Sequence, residues 1–240
     1  MQINIEDKGI IFYVKKHKES SFIIRILSEK YNIITGYVFG NKKSKDFYFK
    51  NQIGNYVNFI YTKKTEEQLG NFEIALISSS SDIFFQTKRD ILIINSCVFF
   101  INYLLIDNSN TNLIYKTFLN LIFTIKSNST YIINYYIDFL FALFEHLGIN
   151  LNPYICCKTN SKDTYYISPK TGNAVIKSIG DKYKDKIFII PKCFKEFCDN
   201  KEDIESALNI FYFFLERFIK ENNLFYIMND FEFLKQSYLI

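Results

Sequence analysis

Cations and flat rings are interleaved along the first third of this chain. Lys15, Lys16, Arg25, Lys42, Lys43, Lys45, Lys63 and Lys64 alternate with Phe12, Tyr13, Tyr37, Phe39, Phe47, Tyr48 and Phe49. Single-stranded nucleic acid is held by these two kinds of group, cations that follow the phosphates and rings that stack on bases. A chain with 18% aromatic residues must also fill its core from them, so each ring has a second reading as packing. Arg25 interrupts an apolar segment; it suits a phosphate contact, or an edge arginine that snorkels or pairs with Glu29. The run Lys42-Lys43-Ser44-Lys45 has no packing reason to cluster its cations, and a basic loop is where a ligand would be met.

A second group of cations, Lys88, Arg89, Lys116 and Lys126, stands beside long apolar segments. That composition suits an acidic peptide with a hydrophobic end. The competing reading is simple helix-end charge, which fits Lys126 well because cations are favoured near a helix C-terminus.

Enzymatic chemistry has no evident seat. The histidines, His17 and His146, lie in no nucleophile or His-Glu-x-x-His spacing, and no Gly-x-x-x-x-Gly-Lys phosphate loop occurs. Glu66 and Glu67 are adjacent, and neighbouring side chains on a strand or turn point apart. The five cysteines, Cys97, Cys156, Cys157, Cys193 and Cys198, are an odd number with no apolar leader before them. They read as reduced thiols in the cytoplasm, with vicinal Cys156-Cys157 partly buried rather than redox-active. No enzyme activity, cofactor or metal is expected. A metal-dependent nuclease is the enzymatic rival, and chelator sensitivity would reveal it.

Charge is unevenly placed. Residues 1–80 hold 12 Lys/Arg against 8 Asp/Glu, the rest of the chain being neutral. Within that remainder, residues 158–195 carry 9 basic and 3 acidic side chains, and 196–240 carry 4 and 9. Heavy use of Ile, Asn, Lys, Phe and Tyr fits AT-rich coding, so lysine distribution counts for more than lysine number. A basic N-terminal module and a second basic segment suit a polyanion. The apolar stretch Ile91 to Ile106 is interrupted by Asn95, Ser96 and Asn102 and falls short of the roughly 20 residues a spanning helix needs.

The elements that must position these groups change period along the chain. Ile10–Lys16, Ser21–Leu27, Ile33–Phe39, Val57–Tyr61 and Phe72–Ile77 are rich in β-branched and aromatic residues and read as five strands of a small barrel. Gly36 and Gly40 bracket a strand expected to bend sharply. Ser78–Ser81 reads as a link, with Asp82 as a helix cap. Helices are expected over Ile91–Ile106, Leu113–Ile125, Tyr131–Leu147 with Gly148 at its end, Ile204–Asn222, and from Asn229 onward. Between them, Tyr165-Tyr166-Ile167 and Asn173-Ala174-Val175 flank Ser168-Pro169-Lys170-Thr171-Gly172 as a hairpin-like insertion.

Three stretches in this order resemble the RecO family of bacterial recombination mediators. The first comprises Asp7-Lys8-Gly9-Ile10-Ile11, Glu19 through Ser28, and Thr35-Gly36-Tyr37-Val38-Phe39-Gly40. The second is Phe139 through Glu145-His146-Leu147-Gly148, with Leu151, Cys156 and Tyr166 through Val175; the third is Phe214-Leu215-Glu216-Arg217. The resemblance implies an α+β protein: an OB-fold barrel over residues 1–80, then an all-helical domain over 81–240 with a small insertion at about 155–191. It implies a basic residue on the OB sheet at Arg25, binding of single- and double-stranded DNA, and strand annealing. Its implied partners are RecR, the tail of single-stranded DNA-binding protein as the acidic peptide, and RecA indirectly. Some RecO relatives hold zinc through two Cys-x-x-Cys pairs in the insertion. Here Cys156 is followed three positions later by Thr159, and the second pair is missing, so a degenerate, zinc-less finger is expected, held by aromatic packing. The alternative to the whole reading is a non-enzymatic adaptor whose helices over Ile91–Ile125 form a partner groove.

Overall fold

A computed structural model describes residues 3–18, 20–40, 45–65, 67–81, 87–106 and 109–238. Lys42, Lys43 and the expected cap Asp82 lie outside these residues.

Five β-rich segments form strands β1 (Ile3–Lys18), β2 (Ser21–Ser28), β3 (Ile33–Phe39), β4 (Tyr56–Lys63) and β5 (Gly70–Ser78). They close into a barrel in the order β1-β2-β3-β5-β4, with β4 returning to β1. The alternating pattern sets the register: Ile11, Ile24, Ile26, Ile34, Val38, Val57, Phe59 and Phe72 share one core, and their sequence neighbours face outward. Closure depends on the short parallel pairing of β3 with β5, where Gly36 stands opposite Gly70. A Cβ on Gly36 would lie 2.7 Å from the Phe72 ring and 2.8 Å from the Gly70 carbonyl oxygen. The glycine therefore permits close approach of two backbones, the physical content of the expected bend.

Between β3 and β4, from the end of the basic run Lys42-Lys43-Ser44-Lys45 that the sequence predicts as a loop, the chain forms a short helix, α1 (Lys45–Lys50). Six residues are too few to display a helical period. Phe47 turns inward from it and stacks on Phe22, with ring centroids 5.2 Å apart and planes at 14°. Fully buried Asn55 holds the exit: its Nδ2 donates to the carbonyls of Phe49 and Lys50, and its Oδ1 accepts from the Ser80 backbone N–H at 2.7 Å.

The serine run is consequently bonded structure. Ser80 also donates to the Ile53 carbonyl, and Ser78 and Ser79 receive Lys126 Nζ at 2.6 and 2.5 Å. Lys126 ends α3 (Asn112–Lys126), which follows α2 (Lys88–Leu104). The cap of α2 is Thr87, whose Oγ1 accepts from the Asp90 N–H. Contacts group residues 1–127 as one unit and 128–240 as another. The end of the barrel strands near residue 80 is thus followed by two helices that belong with the barrel.

The second unit contains α4 (Ile132–Leu147), ended by Gly148 at φ 69°, and α6 (Lys201–Glu221) and α7 (Met228–Tyr238). Tyr136, Phe139, Phe144, Phe211 and Phe214 form its aromatic core. It is not all-helical. Strands β6 (Asn152–Cys156), β7 (Tyr166–Ile167), β8 (Asn173–Val175) and β9 (Phe188–Ile189) make a four-stranded sheet in the order β6-β8-β7-β9, with the short α5 (Lys177–Gly180) after β8. The expected hairpin is the β7–β8 pair, Tyr166 opposite Val175 and Ile167 opposite Ala174. The two flanking strands are too short or irregular to announce themselves by alternation. The sheet's tyrosines interlock: the rings of Tyr165 and Tyr166 lie 4.7 Å apart, and Tyr166 donates its hydroxyl proton to Asp181. Among the described residues no helix is long and apolar enough to cross a membrane.

Candidate nucleic-acid interface

Register across β1, β2 and β3 fixes which side chains share the barrel's outer face, because directly paired residues point to the same side. One row is Tyr13, Arg25 and Thr35; the next is Lys15, Ile23 and Tyr37. Tyr37 is in turn opposite Asn71 of β5, and Asn71 opposite Thr62 of β4. His17 and Phe39 lie two residues further along their strands and fall on the same side. Their rings line up with Tyr37: His17 to Tyr37 is 5.0 Å and Tyr37 to Phe39 is 5.9 Å between centroids. Phe39 is 60% exposed, which removes it from any account based on core packing.

Beside this row opens a cleft of about 650 Å³, whose lining includes Tyr37, Phe39, Thr62, Lys64, Glu67 and Asn71. An exposed ring, amide and hydroxyl groups, and one lysine with one carboxylate converge on it, so the excess positive charge comes from Lys15 on the Tyr37 row rather than from the cleft itself. The arrangement offers a flat face to a base and a cation to the neighbouring phosphate.

The sequence-derived cations separate by face. Lys15 is exposed on the Tyr37 row. Lys16 is exposed but paired with Phe22, whose ring packs inward, so it belongs to the barrel rim. Lys63 is half-buried and next to Thr62; alternation turns it from the cleft that Thr62 and Lys64 line. Lys45 begins α1 and is exposed. Arg25 is bound within its own unit: Nη1 donates to Asn102 Oδ1 of α2 at 2.9 Å, and the guanidinium lies 5.1 Å from the Phe12 ring centroid. The pairing with Glu29 that the sequence left open is replaced by this partner 77 residues away.

The second cationic group is similarly divided. Lys88 and Lys116 are exposed on α2 and α3, and Arg89 is half-exposed with Nε 3.3 Å from Asp90 Oδ1. Lys126 is fastened to the serine run. His17 is the interface residue that the sequence signals did not single out, and only the closed barrel brings its ring beside Tyr37.

In the insertion, Cys156 is fully buried. Burial pushes its thiol up, but the Thr159 hydroxyl and the backbone N–H groups of Lys158, Thr159 and Ile176 outweigh this and bring it down to about 7. Thr159 therefore occupies the position of a second zinc thiol and serves the first by hydrogen bonding. Of the four cysteines that two Cys-x-x-Cys pairs would supply in the insertion, Cys156 alone stands at its place.

Comparison with known proteins agrees with this geometry. The profile described as Recombination protein O N terminal matches residues 1–80, the stretch that builds the barrel. Over almost the whole chain the protein is similar to a DNA repair protein RecO of Rickettsia canadensis (strain McKiel), 30% identical over 92% of this chain and 91% of the relative. A DNA repair protein RecO of Orientia tsutsugamushi (strain Ikeda) is 30% identical over 90% and 91%, and that of Rickettsia typhi (strain ATCC VR-144 / Wilmington) 28% over 92% and 93%. With about nine-tenths of both chains aligned at 30% identity, the chain belongs to the RecO family.

Proposed function

We propose that this protein is a cytoplasmic, non-enzymatic mediator of DNA repair whose barrel is an OB-fold that binds DNA along the Lys15–Tyr37–Phe39 face. The observation that carries the reading is the aligned His17, Tyr37 and Phe39 rings beside the cleft holding Lys64. Stacking on every base's π-face is sequence-tolerant, and lysines supply the salt-sensitive phosphate contacts. Family membership supports a role in repair and recombination. On this reading single- and double-stranded DNA are ligands, annealing is promoted by holding two strands together, and RecR is the partner in loading RecA. The acidic tail of single-stranded DNA-binding protein is the peptide met by Lys88, Arg89 and Lys116, and its capture loosens the protein coat on the strand. No covalent step is assigned.

The test is fluorescence anisotropy of the full chain with a labelled oligo-dT at two salt concentrations. Tight binding that weakens steeply with salt is expected, and Lys15→Ala should lower the slope of log affinity against log salt by about one phosphate contact. Absence of binding at low salt sinks the reading in favour of an adaptor. Charge reversal at Lys42, Lys43 and Lys45 separates the same two readings, because it should weaken DNA binding and leave protein partners unaffected.

A further inference from the structure

Within the second unit, folding gathers a set of ligand-type side chains that the sequence did not reveal as one. Cys193 is the central residue of a short 3-10 turn (Lys192–Phe194), Cys198 lies in the loop after it, and Asp203 lies in the first turn of α6. Their thiol and carboxylate atoms all fall within 4.8 Å of one another. We propose that Cys193, Cys198 and Asp203 form a binding site for a thiophilic divalent metal ion of the zinc class, with water completing the tetrahedron. This set is separate from the insertion's degenerate cysteine pairs.

The spacing suits the chemistry. Zinc takes thiolate sulfur at about 2.3 Å and carboxylate oxygen at about 2.0–2.2 Å, which puts tetrahedral corners about 3.4–3.8 Å apart. Cys198 Sγ already lies 3.2 Å from Asp203 Oδ2, and the widest spacing exceeds the ideal by about 1 Å, within reach of a thiol rotation.

The backbone around the three ligands is fixed from outside. Asp203 Oδ1 accepts the Lys192 N–H and Oδ2 the Cys193 N–H, both at 2.8 Å. Buried Asn134 of α4 clasps Cys198 on both sides, its Nδ2 donating to the Cys198 carbonyl and its Oδ1 accepting the Cys198 N–H, each at 3.0 Å. Asn200 caps α6 by accepting the Asp203 N–H. Such outer hydrogen bonds are what orient ligands in metal sites.

Charge points the same way. Among the described residues no Lys or Arg pairs with Asp203; neighbouring Lys195 donates to the Thr164 carbonyl and Lys201 pairs with Glu205. Its carboxylate is met by the Lys192 and Cys193 N–H groups and by the Cys198 thiol, and a metal ion would take the place of the thiol proton. On binding, each S–H bond is replaced by a sulfur–metal bond and each thiol releases one proton to solvent; no electron is transferred.

The experiment is titration of the chelator-stripped, fully reduced chain with Co²⁺ alone, followed by displacement with Zn²⁺. The expected result is saturation at one equivalent, with a sulfur-to-cobalt charge-transfer band and the visible bands of tetrahedral cobalt. Both should be lost in Cys198→Ala and kept in Cys156→Ala. Cys198→Ser, which keeps a donor toward Asp203, guards against a folding defect, and circular dichroism reports the fold of each variant. No cobalt band, a band that survives both Cys198 variants, or one lost only in Cys156→Ala overturns the proposal. So does a Cys193–Cys198 disulfide in protein isolated under thiol-protecting conditions.

Discussion

At one end of the outer β1–β2–β3 face, Arg25 is engaged by Asn102 and the Phe12 ring; at the other, Lys15, Tyr37 and Phe39 stand open beside a cleft. The two ends belong to the same three strands and carry the same kinds of residue, a cation among rings. What separates them is the later chain: α2 supplies a partner to the first row, whereas the second row is left to solvent. On the proposed reading Arg25 is therefore less available to a ligand than Lys15, because a helix already engages it.

The harshest way to break this comparison removes both ends together. Gly36→Ala forces a Cβ against Phe72 and the Gly70 carbonyl and should cost about 3 kcal/mol of stability, seen as a lower urea midpoint, with DNA binding falling alongside. Next, Tyr37→Ala and Phe39→Ala should each weaken oligo-dT binding by about 1–3 kcal/mol, roughly tenfold or more, at unchanged urea midpoint. If affinity survives both, the open end is not the binding end.

Arg25→Ala should do the reverse, costing about 1–2 kcal/mol of stability through the lost Asn102 bond and ring contact while changing DNA affinity by less than about twofold. An affinity loss equal to that of Tyr37→Ala would erase the distinction between the rows. The smallest effect is a control in the second unit. Glu216 accepts hydrogen bonds from Lys220 and from Lys235, which hold its carboxyl below the usual range. Its folded-state value is depressed, so its contribution is present above the ordinary carboxylate range and lost as pH falls through the folded value. Glu216→Gln should cost about 0.5–1 kcal/mol at neutral pH and progressively less as pH falls below the ordinary carboxylate range, with DNA binding untouched.

Legibility in the sequence followed the length over which a pattern repeats. All five barrel strands were readable because β-branched and aromatic residues concentrate in each, with clear alternation in Phe72–Ile77, and α4 and α6 because apolar residues recur over several turns. The helix α1 was missed because Lys45–Lys50 completes less than two turns, and Phe47 looks like any loop aromatic until Gly40 and Phe22 are folded against it. Arg25 was visible as an anomaly, yet its partner lies 77 residues on, beyond any local signal. The Cys193–Cys198–Asp203 group escaped for a similar reason, since its members come from a 3-10 turn, a loop and a helix start, and no regular element imposes their spacing.

The bonds that fasten α3 to the serine run bear on how the chain is made. Lys126 reaches back to Ser78 and Ser79, and Asn112 to the Glu29 carbonyl, so the barrel has contacts that exist only once α3 is present. On the ribosome the five strands emerge first and must wait for those helices before the unit can lock. A fragment ended at residue 80, where the family profile stops, carries every strand but lacks these fasteners. Amide exchange in the barrel and in α3 should accordingly slow in a single step during synthesis, as one cooperative unit.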